Sequence, residues 1–160
     1  MMEIMDWSLA LPAVYLLLGA CATFFADSLR HRRSRKEMLQ DGLRKQRGES
    51  YISFLNAAHL AGHTLGRSAP GCPNPLEPDP ATFWLVDSEV TQKLRAVEIV
   101  GGDVVVARAR EVKEALLHFR AEVQRGAPYG SFEYWDAYRP VSRARDLLVS
   151  AARDEVGADR

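Results

Sequence analysis

Four kinds of stretch follow one another along this chain. Trp7 to Ala26 is apolar and uncharged. Arg30 to Arg47 is polar and strongly basic. Beyond it, apolar positions recur at steps of three and four, the spacing of helices with one buried face. A proline-rich segment between residues 67 and 80 interrupts that rhythm once.

The first periodic segment runs to about Gly66. Tyr51, Leu55, Ala58, Gly62 and Leu65 form its seam, with Ile52 and Phe54 widening the stripe. Prolines at 70, 73, 75, 78 and 80 then forbid a helix and favour extended, polyproline-like chain, read as a stiff crossover or a PxxP-like docking segment. Asp79-Pro80 has the form of a helix start, an N-cap followed by proline at the first helical position. Phe83, Val86, Val90, Leu94 and Val97 share one face of the second helix, which Gly101-Gly102 should stop. Asp103 is the expected N-cap of a third helix with the seam Val105, Ala109, Val112, Leu116, Phe119 and Val123. A turn with Gly126, Pro128 and Gly130 follows. Ser131 should cap a last helix that Pro140 kinks or splits and Gly157 closes, with Val141, Ala144, Leu148 and Ala151 inward and Leu147 and Val156 at the border.

The expected fold is all-α: an N-terminal transmembrane helix followed by an antiparallel four-helix bundle. The expected divisions are an anchor segment over 1–29, a basic juxtamembrane stalk over 30–48, and a bundle over 49–160 with its proline-rich connection at 67–80. A helix rises about 1.5 Å per residue, so about 20 apolar residues cross the roughly 30 Å hydrocarbon core. The run from Trp7 to Ala26 meets that length. Trp7 sits where an interfacial anchor belongs. Glu3 and Asp6 precede the run, and Arg30, Arg32, Arg33, Arg35 and Lys36 follow it. Positive charge stays in the cytoplasm, so the N-terminus is expected outside and the bundle inside. The same cations are the expected contacts to anionic headgroups. Leu18-Gly19-Ala20-Cys21 also resembles a lipobox, whose cysteine would be lipidated in an exported lipoprotein. Against that stand the acidic N-terminus, the apolar run continuing past Cys21, and the basic cluster beyond.

Composition changes this picture little. The chain has 160 residues, with 21 basic and 21 acidic side chains, so no global charge points to a polyanion. No nucleic-acid partner is expected. Two unpaired cysteines, Cys21 and Cys72, suit a reducing compartment.

Candidate chemistry is sparse. His59 and His63 stand one helical turn apart and could share a metal, with His118 a third ligand only if packing brought it near. No glutamate lies between them in the zinc-protease sense, and a structural role at the core border is the simpler reading. Glu111, Glu114, Glu122, Asp146, Asp154 and Glu155 are scattered among arginines, as surface ion pairs are. Glycine-rich phosphate loops, nucleophile elbows and cysteine pairs are absent from the sequence. No catalytic residue and no cofactor are therefore expected. The densest aromatic group is Tyr129, Phe132, Tyr134, Trp135 and Tyr138. It is read either as a cap on one end of the bundle or as a surface for a protein partner. Gly19-Ala20-Cys21-Ala22 would let two anchors approach closely, so self-association is also expected.

Three segments carry a resemblance: Arg47-Gly-Glu-Ser-Tyr51-Ile-Ser-Phe-Leu55-Asn-Ala-Ala-His59, Val97-Glu-Ile-Val-Gly101-Gly-Asp-Val-Val105, and Ala144-Arg145-Asp146-Leu-Leu-Val-Ser-Ala151-Ala-Arg153-Asp-Glu-Val-Gly157. In these the chain resembles a group of uncharacterised actinobacterial single-pass membrane proteins with a small cytoplasmic helical domain. The resemblance implies the anchor, the basic stretch and the helical domain. It implies no activity.

Overall fold

The computed structural model describes residues 38, 40–77 and 80–158. The chain divides into two units, Met1–Gly42 and Leu43–Arg160, and the second holds the bundle. The apolar run from Trp7 to Ala26 and the cluster Arg30, Arg32, Arg33, Arg35 and Lys36 lie outside the described residues, as does the capping position Asp79. Among the described residues no helix is long and apolar enough to cross a membrane, and there is no strand.

Four helices make up the described chain. The first, α1, covers 40–67. The others are α2 (Pro80–Val100), α3 (Asp103–Gln124) and α4 (Phe132–Ala158). Cross-helix contacts fix their directions. Arg110 reaches back to Glu98 and Lys113 to Thr91, so α2 and α3 are antiparallel. Phe119 meets Tyr134 and Gly102 meets Glu155, so α3 and α4 are antiparallel. Arg47 bonds to Val100 at the far end of α2, which sets α1 against α2. The result is an up-down-up-down bundle, the arrangement short turns favour.

The core follows the sequence periodicity. All six seam positions of α3 are buried, with Ala109 and Phe119 fully enclosed. On α2, Phe83, Val90, Leu94 and Val97 are buried and Val86 packs at the edge. On α1 the buried stripe is Tyr51, Phe54, Ala57, Ala58, Ala61 and Leu65, centred on Phe54 rather than beside it. Ile52 does not join the stripe; it is exposed on the opposite side of the helix.

Several ends differ from expectation for local reasons. The N-cap of α3 is Gly102, in extended conformation, and Asp103 is the first helical residue. Gly101 and Gly102 are not needed for left-handed backbone, since their φ values are ordinary. They are needed for closeness. A Cβ on Gly101 would stand 2.9 Å from the Val97 carbonyl and 3.1 Å from the Tyr51 hydroxyl, and one on Gly102 would stand 3.2 Å from the Glu155 carboxylate. Ser131 does cap α4, its Oγ accepting from the Tyr134 N–H at 3.2 Å. Pro140 does not split α4, which runs unbroken past it and past Gly157.

The proline-rich connection is not an extended rod. Gly71 and its φ of +79° turn the chain, a conformation that glycine adopts without steric cost. The Leu76 N–H donates to the Arg67 carbonyl at 2.9 Å and closes the loop on itself. Ala69 pins it into the core.

Candidate functional site

The cleft worth attention lies at the end of the bundle where α1 finishes and α4 begins. Two glycines on α1 let it form. Glycine inside a helix costs about 1 kcal/mol against alanine, so Gly62 and Gly66 need a packing reason. Gly66 has one: a Cβ there would stand 2.7 Å from the Tyr134 hydroxyl. At Gly62 a Cβ would make ordinary contact with Leu116 and Tyr138 at 3.7 Å. The bare helix surface thus receives the Tyr134 ring edge.

The rings form a graded set around Tyr134. Its centroid lies 5.2 Å from Phe119, 5.1 Å from Tyr129 and 5.1 Å from Trp135, with edge-to-face geometry to Phe119 and Trp135. Tyr138 meets Phe119 at 5.2 Å. Edge-to-face pairs at such distances stabilise beyond the area they bury. Tyr134 is 5% exposed and Phe119 fully buried, whereas Tyr129 and Trp135 are 41% and 45% exposed. The cluster therefore serves as core on one side and as surface on the other. Phe132 takes no part in it. That ring is well exposed and lies under the Arg139 guanidinium, 5.9 Å away.

The proline-rich loop supplies the opposite wall. The Tyr129 N–H donates to the Pro70 carbonyl at 2.8 Å, which ties the α3–α4 turn to the loop. Arg67 Nε donates to the Asn74 carbonyl at 2.9 Å. Between these elements opens a cleft of about 530 Å³, bounded by His63 and Arg67 of α1, Cys72 and Pro73 of the loop, and Tyr129 and Trp135. That volume falls within the usual range for ligand pockets. Burial pushes the Tyr134 hydroxyl up to about 12, helped by the neighbouring Tyr129 and Tyr138. It stays protonated, a hydrogen-bond donor, at any physiological pH.

Of the five aromatic residues that the sequence groups together, Tyr129, Tyr134, Trp135 and Tyr138 line the cleft and Phe132 does not; the sequence does not join them to the α1 and loop residues that complete it. The available signal was Gly62 and Gly66, two helix-weakening residues one turn apart beside His63 and Arg67.

His59 and His63 are neighbours, with ring centroids 6.4 Å apart, and both are exposed rather than at the core border. Among the described residues no group of three histidine, cysteine or carboxylate side chains could hold a metal ion. His63 instead lines the cleft.

At the opposite end, Glu155 departs from the surface-pair expectation. Both its oxygens accept from the Gly102 N–H, at 3.1 and 3.2 Å, so α4 supplies the acceptor that α3 lacks on its own N-cap. Arg47 Nε donates to the Val100 carbonyl at 2.8 Å, and its Nη1 stands 3.4 Å from Glu155. A cation thus meets the C-terminus of α2 and an anion the N-terminus of α3, the favourable sense for both helix dipoles. Tyr51 lies beneath this pair. Its hydroxyl is buried without a hydrogen-bond partner, and burial together with the Glu155 charge pushes it up to about 12.

Comparison with known proteins adds no family to this geometry: no family model matches the chain, and neither a curated protein nor a solved structure is significantly similar to it.

Proposed function

We propose that this chain is a membrane-anchored interaction module, its bundle in the cytoplasm and its aromatic end the surface that receives a protein partner or a second copy. The observation that carries the reading is the cleft. Trp135 and Tyr129 are nearly half exposed on a rigid floor of buried rings, and exposed aromatics on a rigid base are favoured at interaction hot spots.

The anchor is argued from the sequence: an uncharged run from Trp7 to Ala26, with basic residues only after it. The cations Arg30, Arg32, Arg33, Arg35 and Lys36 would then face anionic headgroups of the inner leaflet. Gly19-Ala20-Cys21-Ala22 would allow anchors to pair. The competing reading, export with lipidation at Cys21, reverses the side of the membrane on which the cleft lies.

Two measurements test this. A reporter active only in the cytoplasm, fused after Gly157, should be active, and the membrane-bound product should keep its full mass. A product beginning at Cys21 removes the cytoplasmic reading. Native mass spectrometry of gently solubilised membranes should find the chain in a complex heavier than one copy. Trp135→Ala should return it to the single-chain mass with its helical signal unchanged. A wild-type chain found only as a single copy removes the interaction reading.

A further inference from the structure

The charge lining the cleft is one-sided. Arg67 and His63 line it, and among the described residues no carboxylate does. Several arginines elsewhere in the bundle are answered by carboxylates: Arg47 by Glu155, Arg108 by Glu111, Arg110 by Glu98, Arg139 by Asp136. Arg67 meets only a neutral carbonyl, through Nε, and no carboxylate among the described residues pairs with it. Fixing Nε orients the guanidinium and leaves its Nη groups to a ligand. A second donor stands in the floor. Tyr134 is 5% exposed, and its hydroxyl is seated over Gly66. Trp135 adds an indole N–H. The cleft therefore offers several donors beside the Asn74 amide, while its apolar walls are ring faces and Pro73.

We propose that the cleft binds a carboxylate carried on an aromatic group, the carboxylate on Arg67 and the Tyr134 hydroxyl, the ring against Trp135 and Tyr129. This rests on the binding role proposed above and names the chemistry that the partner presents. A planar guanidinium matches a carboxylate by two parallel hydrogen bonds. A phosphate would bring nearly two charges to a site with one permanent cation. A protein chain ending in phenylalanine, tyrosine or tryptophan offers ring and carboxylate on one residue. A free aromatic acid offers the same pair.

The test uses full-length protein in lipid nanodiscs and four probes: N-acetyl-phenylalanine and 3-phenylpropanoate, each with its uncharged amide. Affinity is read by calorimetry and location by the NMR shift of the Trp135 indole N–H, assigned with Trp135→Phe. Each acid should bind at least tenfold more tightly than its amide and shift that signal. Tighter binding of the acetylated amino acid than of the free acid would mark a chain end as the natural source, and the reverse order a metabolite-like acid. Arg67→Gln should abolish the preference for acid, Arg67→Lys should keep part of it, and Tyr134→Phe should weaken both acids. Equal affinity for acid and amide, or no shift of the Trp135 signal, overturns the proposal. If a heavy native complex persists while acids show no preference, only this inference falls. If the chain runs alone yet prefers acids, the protein-partner reading falls and the site stands.

Discussion

Each end of the bundle buries a tyrosine whose hydroxyl is pushed up to about 12, and the two ends use it differently. Around Tyr51 everything converges. The carboxylate of Glu155 closes the start of α3, Arg47 closes the finish of α2, and the two charges meet 3.4 Å apart. Glycine is required there because backbones and side chains approach too closely for a Cβ. Around Tyr134 the rings converge on one side only. The other side is an open cleft with a cation and several donors but, among the described residues, no carboxylate. The Tyr51 end is tied together by the protein's own groups and reads as a structural joint, with an apolar groove of about 530 Å³ beside it lined by Tyr51, Ile52, Leu55 and Val156. The open end has donors in surplus and reads as a place for something else.

Breaking the shared core should damage both ends. Phe119 is fully buried and supports both Tyr134 and Tyr138, so Phe119→Ala should cost about 3–5 kcal/mol by chemical denaturation and remove the cleft with it. Breaking the joint alone should be smaller. Glu155→Ala leaves the Gly102 N–H without its acceptor and takes a carboxylate from Arg47, and should cost about 1–3 kcal/mol, with hydrogen exchange rising first at the α2–α3 corner. The Trp135 fluorescence environment should not change.

Alkaline pH should act on both ends together. Both tyrosines hold their proton more tightly when folded, against an ordinary value of 10.0. Their contribution is fully present below about pH 10 and is lost as pH rises through about 12, because the unfolded chain gives up those protons first. Denaturation midpoints should fall across that window, and Tyr51→Phe with Tyr134→Phe should flatten the fall. A midpoint independent of pH there would contradict the buried, neutral state of both hydroxyls.

The smallest effects sharpen the contrast most. Tyr51→Phe removes a buried hydroxyl that has no partner, so it should be neutral or stabilising by up to about 1 kcal/mol in urea titration. Tyr134→Phe should leave stability within about 0.5 kcal/mol yet weaken acid binding in the cleft.

The sequence made the core legible because burial imposes a period. The α3 seam from Val105 to Val123 is buried position for position, and α2 differs only in placing Val86 at the edge. What period cannot carry is contact between helices. Glu155 looks like any surface carboxylate until the α2–α3 corner is placed beside it. Asp103 looks like an N-cap because aspartate is a common one, yet a carboxylate from another helix has taken over that work. The prolines read as an extended rod, but the Leu76 to Arg67 hydrogen bond folds the segment into a wall. The aromatic half of the cleft was visible as composition. The α1 half was visible only as two glycines out of place in a helix.

The most direct test of the open-end, closed-end account is a photo-crosslinker placed in living cells at position 135, in the cleft, and separately at position 99. Ile99 is 82% exposed beside the closed end and serves as the control surface. The account predicts a discrete, heavier adduct from position 135 that Arg67→Gln diminishes, and none from position 99. Adducts from position 99 alone, or equal and indiscriminate labelling from both, would contradict it.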